Sequence, residues 1–218
     1  MRTIAPILNG GGAKIFKFGS MLKFGVMASG SGSNFKAILD RIRSGEFQAR
    51  CLFLISNNVN CGAVGYAKDF GIPVFHISGK THPDGAAYET ALLEVVDQFD
   101  VDLVVLAGYM KVLPSSFVQR LAGRILNIHP SLLPKYGGKG FYGMHVHEAV
   151  IAAGERETGA TVHLVGDEID SGRILSQGRV PVSPEDTPET LAARVHEVEH
   201  HIYWKAIRDY GEELGFKG

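Results

Sequence analysis

Phe24-Gly25-Val26-Met27-Ala28-Ser29-Gly30-Ser31-Gly32-Ser33-Asn34 is an apolar run that breaks into a glycine–serine turn and passes at once into a helical pattern over residues 34–43. A short apolar strand followed directly by a helix is the opening unit of a parallel sheet, because parallel neighbours require a crossover. The turn gathers backbone N–H groups and the positive end of the helix at one point, where an anion fits. Gly30 and Gly32 permit close approach of the backbone, and Ser33 and Asn34 offer side-chain donors or cap the helix. Phe35 occupies the third position of a GxGxxG pattern and no Gly-Lys-Ser/Thr follows, so dinucleotide and Walker-type readings both fail and a monophosphate is the better candidate. On this stretch alone, a glycine-rich turn without a ligand stays open.

Working outward, further apolar runs rich in β-branched residues occupy 51–55, 74–76, 103–107, 125–129, 161–165 and 174–180. Helical patterns lie between them near 62–70, 88–99 and 147–153. That rhythm predicts an α/β fold with a doubly wound, mostly parallel sheet, Rossmann-like in its N-terminal half and forming a single domain. A long helix opens at Thr187-Pro188-Glu189 with an N-cap, a first-turn proline and an early acid, and repeats apolar residues at Leu191, Val195, Val198 and Ile202. It is expected to pack back across the sheet. The length of 218 residues suits one large domain, 45% hydrophobic and 21% charged residues are ordinary globular proportions, and no apolar run nears the ~20 residues of a membrane helix. Residues 1–20 read as an appended leader, a flexible native extension or a targeting peptide, and residues 21–218 as the folded domain.

The net charge of −1 leaves no general basic field for nucleic acid, so the expected partners are small molecules, with neither nucleic acid nor membrane; monomer and homodimer both stay open. Cys51 and Cys61, without a CxxC pair, are expected to be reduced thiols of a cytoplasmic protein, and neither has the setting of a nucleophile.

Ile125-Leu126-Asn127-Ile128-His129-Pro130 places Asn127 and His129 two apart on a strand, hence on one face, and Pro130 ends the pairing. In a doubly wound sheet, ligands bind outside the carboxyl ends of the strands. An amide donates to a developing oxyanion and an imidazole moves a proton near neutral pH, so the pair suits acyl transfer; a capped strand end with a satisfied histidine is the alternative. The short acidic turn Gly166-Asp167-Glu168-Ile169-Asp170-Ser171-Gly172 supplies a carboxylate, Asp170 for choice, to orient His129 and raise its pKa, unless it is a solvated hairpin.

Together these segments resemble the phosphoribosylglycinamide formyltransferases of the formyltransferase superfamily. The resemblance covers residues 21–218. It rests on Ser29-Gly30-x-Gly32-Ser33-Asn34, Ala107-Gly108-Tyr109-Met110-Lys111-Val112-Leu113, Asn127-Ile128-His129-Pro130-Ser131-Leu132-Leu133-Pro134, Gly159-Ala160-Thr161-Val162-His163 and Asp167-Glu168-x-Asp170-x-Gly172. It implies transfer of a formyl group from 10-formyltetrahydrofolate, a cosubstrate, to the amine of glycinamide ribonucleotide in purine biosynthesis, without a metal. By motif match, Asn127, His129 and Asp170 are the implied catalytic set. Gly30, Gly32, Ser33, Asn34 and Glu199 are implied for the ribonucleotide, and Met110, Lys111, Val112, Leu113, Asn127, Gly166, Asp167 and Asp170 for the folate. Gly85 falls where the family often offers an arginine to the folate tail, with Lys111, Lys80 or His82 as substitutes, and the glycine-rich stretch 137–144 reads either as a mobile flap or as a longer surface loop.

Rival readings have specific signals. A tRNA formyltransferase is expected to carry a further C-terminal domain and a basic face, and a formyltetrahydrofolate hydrolase an N-terminal regulatory domain. His196-Glu197-Val198-Glu199-His200 matches the HExxH of zinc proteases, but that helix side abuts an apolar stripe and no clear third ligand follows. A ribonucleotide-binding module without turnover would not need Asn127, His129 and Asp170. His145 and His147 are expected to border the cleft, and His76, His82, His163 and His201 to be packing or surface residues.

Overall fold

The computed structural model describes residues 19–217. The first 18 residues, most of the stretch read as a leader, lie outside the described residues; Gly19 and Ser20 are tied to the other end of the chain, Gly19 N–H donating to the Gly215 carbonyl (2.7 Å) and Lys217 N–H to that of Ser20 (3.1 Å).

Because the central apolar runs are buried on both faces, they pair side by side rather than lining a wet surface. In chain order the elements are β1 (Leu22–Ala28), α1 (Ser33–Arg43), β2 (Ala49–Ser56), α2 (Gly62–Asp69), β3 (Val74–His76), α3 (Gly85–Phe99), β4 (Leu103–Leu106), α4 (Ser115–Arg120), β5 (Ile125–His129), α5 (Met144–Ala152), β6 (Glu157–Leu164), β7 (Ile174–Pro181) and α6 (Pro188–Glu213). They form one seven-stranded sheet in the order β3-β2-β1-β4-β5-β6-β7. Pairing is parallel from β3 to β5 and antiparallel from β5 through β6 to β7. The expected doubly wound, mostly parallel sheet is therefore the observed one.

Alternation along β1 divides the core. Leu22, Phe24, Val26 and Ala28 join the larger apolar cluster with α6, whereas Met27 faces the smaller one with Phe53, Leu92, Val96 and Phe117. Gly25 leaves the room that Phe53 fills, since a Cβ there would lie 2.0 Å from its ring. The long helix α6 crosses the larger cluster, started by a Thr187–Thr190 capping box with Pro188 in its first turn. Its fully buried Tyr203 shares its hydroxyl hydrogen between the carbonyls of Leu106 (2.8 Å) and Leu126 (3.1 Å), pinning the helix across the end of β4 and the start of β5.

Several boundaries differ from the sequence expectation. β6 begins at Glu157, where Gly159 lets β7 approach so closely that a Cβ would sit 1.9 Å from the Gly178 carbonyl oxygen. Asp84 accepts the Ala87 N–H at 2.8 Å and starts α3 three residues before the apolar pattern does. The six-residue α4 carries no pattern long enough to be read.

Replacing Tyr203 by Phe removes a buried hydroxyl that bridges β4 and β5. The variant is expected to lose about 1 kcal/mol of stability, read as a lower urea midpoint at unchanged slope.

Candidate active site

β5 ends in Asn127 and His129, and antiparallel pairing with β6 sets His163 opposite Asn127 and Thr161 opposite His129. The turn from β6 to β7 then folds back over this strand end. Gly172 makes that possible: a Cβ there would lie 1.7 Å from the Leu164 carbonyl oxygen. Asp170 stands in the left-handed region (φ 56°), the type of local strain found where a side chain is held for use.

Three ionisable side chains result, packed into one buried cluster. Asp170 Oδ2 lies 3.4 Å from His129 Nδ1, and Asp170 Oδ1 lies 3.6 Å from His163 Nε2. The backbone N–H of Gly138 donates to Asp170 Oδ2 at 2.9 Å. His129 Nε2 donates to the Tyr136 carbonyl at 2.7 Å; a carbonyl can only accept, so Nε2 carries a hydrogen and the exchangeable proton belongs to Nδ1, the edge facing Asp170. The same logic fixes His163. Its Nδ1 donates to the Leu164 carbonyl (3.0 Å), leaving Nε2 to accept from the Asn127 amide at 3.1 Å and a second amide hydrogen of Asn127 for another acceptor.

Burial and charge oppose one another here. Desolvation lowers the His129 pKa below its usual value; Asp170 raises it, as expected of a neighbouring carboxylate, but does not outweigh burial. For Asp170 the balance reverses. Burial pushes its carboxyl up, but the neighbouring His163 ring, the charge of His129 and the Gly138 N–H together bring it below the usual carboxylate range.

The segment after His129 is held from below by one hydroxyl. Thr161 Oγ1 donates to the Ser131 carbonyl (2.6 Å) and accepts from Leu133 N–H (3.0 Å) and Gln177 Nε2 (2.9 Å). Tyr136, the acceptor for His129, is thereby placed by β6, the strand paired with β5.

The glycine turn is built as a cradle. Ser29 N–H donates to the Gly108 carbonyl (3.1 Å), and Met110 N–H donates to Ser29 Oγ (2.9 Å). Gly62 and Gly32 let the start of α2 press against the turn, a Cβ on Gly32 falling 2.6 Å from Ala63 Cα. Neither Ser33 nor Asn34 caps α1, contrary to one expectation: the N-cap is Gly32 (φ 76°) with no side-chain cap, so no side chain competes for the N–H groups of the first turn. Asn34 turns inward, its amide donating to Glu199 Oε2 at 2.8 Å. Glu199 is buried, which raises its pKa, and His196 Nε2 lies 3.9 Å from the same oxygen.

Met110, Lys111 and Val112 project from the loop after β4, while Leu113 packs on the smaller apolar cluster. Gly166 lies against Gly172, and Asp167 is exposed rather than part of the histidine cluster. His196 and His200 stack at 6.4 Å, and among the described residues no three His, Cys, Asp or Glu side chains are grouped to hold a metal ion. The residue the sequence misjudged is His163, read as packing. Its signal was register: three strand residues of Thr161-Val162-His163 carry it to the face on which Thr161 supports the chain after His129. His147 is also buried, with Nδ1 unpartnered and within electrostatic reach of both His129 and His196.

A formyl transferase family model matches residues 22–207. The chain belongs to this family. It is 41% identical over 192 residues to phosphoribosylglycinamide formyltransferase of Haemophilus influenzae, covering 88% of each chain. It is 43% identical to the chloroplastic enzyme of that name from Arabidopsis thaliana, covering 88% of this chain and 66% of the longer plant protein. The glycinamide ribonucleotide transformylase 1 of Symbiobacterium toebii superimposes with a TM-score of 0.83 at 37% identity, over 88% of this chain and 89% of that one. Within the formyl transferases, the chain therefore sides with the phosphoribosylglycinamide branch.

Three histidines with lowered pKa, His129, His147 and His200, give this family member a defined acid response. His147 is pushed down to about 4 from 6.5 by burial and neighbouring histidines, so the unfolded chain takes up a proton that the native one refuses as pH falls through that window. Stability is expected to fall between pH 6.5 and about 4. His147→Gln should flatten the fall, with urea midpoints against pH as the measurement. Removing the Asp170 charge with Asp170→Asn should move the His129 titration, followed by NMR, to lower pH.

Proposed function

We propose that the chain transfers the formyl group of 10-formyltetrahydrofolate to the amine of glycinamide ribonucleotide in purine biosynthesis. The observation that carries this reading is the convergence of Asn127, His129 and Asp170 at one strand end, beside a separate anion cradle.

The chemistry follows from the placement. The substrate amine attacks the formyl carbon, the new C–N bond forms, and the carbonyl oxygen becomes negative. The free amide hydrogen of Asn127 and a proton on His129 Nδ1 stabilise that oxygen, a preorganised donor being worth about 3 to 4 kcal/mol in comparable sites. As the bond to the folate nitrogen breaks, His129 gives its Nδ1 proton to that nitrogen and recovers one from the attacking amine. Asp170 stays ionised, which its lowered pKa supports, and favours the imidazolium that this step needs. His163 holds the Asn127 amide in its donating orientation. No step calls for a protein nucleophile, and desolvation keeps the Cys51 thiol protonated.

The N–H groups at the start of α1, with Gly30, Gly32 and Ser33, are assigned to the ribonucleotide phosphate. Glu199 takes the glycinamide end, its carboxyl oriented by Asn34. The folate is assigned to residues 110–113 with Asn127, Gly166, Asp167 and Asp170. The exposed apolar side chains Met110, Val112, Tyr142 and Met144 support a flat ring docking there. The domain is taken as residues 21–218 and the location as cytoplasmic, which the free Cys51 and Cys61 support. No helix of the described residues is long and apolar enough to cross a membrane.

Absorbance of the released folate product, with glycinamide ribonucleotide as acceptor, tests the assignment. His129→Ala is expected to lower turnover by about 10² to 10⁴-fold while staying folded. Asp170→Asn should lower formyl transfer far more than ribonucleotide affinity. Unchanged turnover in a folded His129→Ala protein would remove the histidine from the reaction.

A further inference from the structure

Val112 is 75% exposed and Met110 55% exposed, yet the segment that carries them is clasped from two sides. Its pivot is Gly108, at φ 71° in a place where a Cβ would meet nothing within 4 Å; glycine serves backbone conformation there, and a glycine pivot leaves the loop free to swing. On one side Ser29 ties the pivot down, through its N–H to the Gly108 carbonyl and its hydroxyl to Met110 N–H. On the other, the hydroxyls of Tyr109 and Tyr88 meet at 2.6 Å. Tyr88 rides on the first turn of α3, which the Asp84 cap fixes, and both rings pack against the smaller apolar cluster together with Leu113. Desolvation holds the Tyr109 phenol protonated far above its ordinary range. On the far side of the segment, Gly143 leaves room for the tip of Met110, its missing Cβ falling 3.4 Å from Met110 Cε.

We propose that the Tyr88–Tyr109 hydroxyl pair is a positioning device for the formyl donor, holding residues 109–113 in the shape that receives the flat ring of a reduced folate. The inference rests on the proposed function and deepens it. Tyr88 touches neither reacting centre; it acts through Tyr109, so it governs how well the donor is held rather than how fast the bound complex reacts. With Tyr88 replaced by Phe, the ring still packs but the loop loses this hydrogen bond and keeps the Ser29 tie and its apolar packing. A neutral hydrogen bond of this kind is worth a change of about fivefold in binding.

The experiment measures KM for 10-formyltetrahydrofolate and for glycinamide ribonucleotide, together with kcat, in the wild-type chain, Tyr88→Phe, Tyr109→Phe and the double variant. Calorimetric binding of tetrahydrofolate to each is the second readout. The expected result is a rise of about fivefold in the folate KM for each single variant, with kcat and the ribonucleotide KM unchanged. The double variant should match the singles instead of multiplying them, because one bond is lost either way. A folate KM that stays put in folded Tyr88→Phe, or that rises together with the ribonucleotide KM, would overturn the inference while leaving the proposed function standing. A wild-type chain that neither transfers formyl nor binds tetrahydrofolate would remove both.

Discussion

A single carboxylate, Asp170, is shared between two imidazoles and one backbone N–H within a buried pocket. Burying an acid is costly, and the cost is offset by the Gly138 N–H and by the positive charge that His129 carries when protonated. That requirement ties together three separate stretches of chain: the end of β5, the end of β6 and the glycine-rich stretch after Tyr136. If any of the three moved, the carboxylate would be left partly unpaired. The site is therefore held in shape by the same electrostatics that make it chemically useful.

The sheet delivers these groups because it changes direction. Up to β5 the strands run parallel and their ends carry loops to one edge; the antiparallel return through β6 then places His163 beside Asn127 in register. The return strand also brings Thr161, whose hydroxyl fixes the segment that presents the Tyr136 carbonyl to His129. Helix α6 closes the other side: Tyr203 locks it to the end of β4 and the start of β5, and Glu199, one turn earlier, accepts from Asn34 in the first turn of α1. Catalytic and anion-binding halves thus share one rigid strut. Sites held by regular elements in this way keep the sub-ångström placement that acyl transfer needs.

The glycine-rich stretch 137–144 joins this framework. Gly138 (φ 85°), Gly140 (φ 94°) and Gly143 (φ 53°) all adopt left-handed or otherwise glycine-favoured conformations. Gly137 sits so close to Leu133 that a Cβ would fall 2.5 Å from its side chain, with Asp170 3.3 Å away. Whether read as a flap or as a longer surface loop, the stretch bonds its Gly138 N–H to the central carboxylate in this structure. It forms one wall of the cluster.

By itself the sequence determined the periodic elements, the glycine turn and the strand-end pair, because each is encoded within about ten neighbouring residues by side-chain alternation, a cap or a backbone preference. β5 and β3 match their apolar runs residue for residue. Only the tertiary structure decided that His163 belongs beside Asn127, that Asn34 turns toward Glu199 rather than capping its helix, and that burial outweighs Asp170 in setting the His129 pKa. Each of those outcomes is a balance between groups far apart in the chain, and the distance and desolvation that set the balance exist only once the strands have paired.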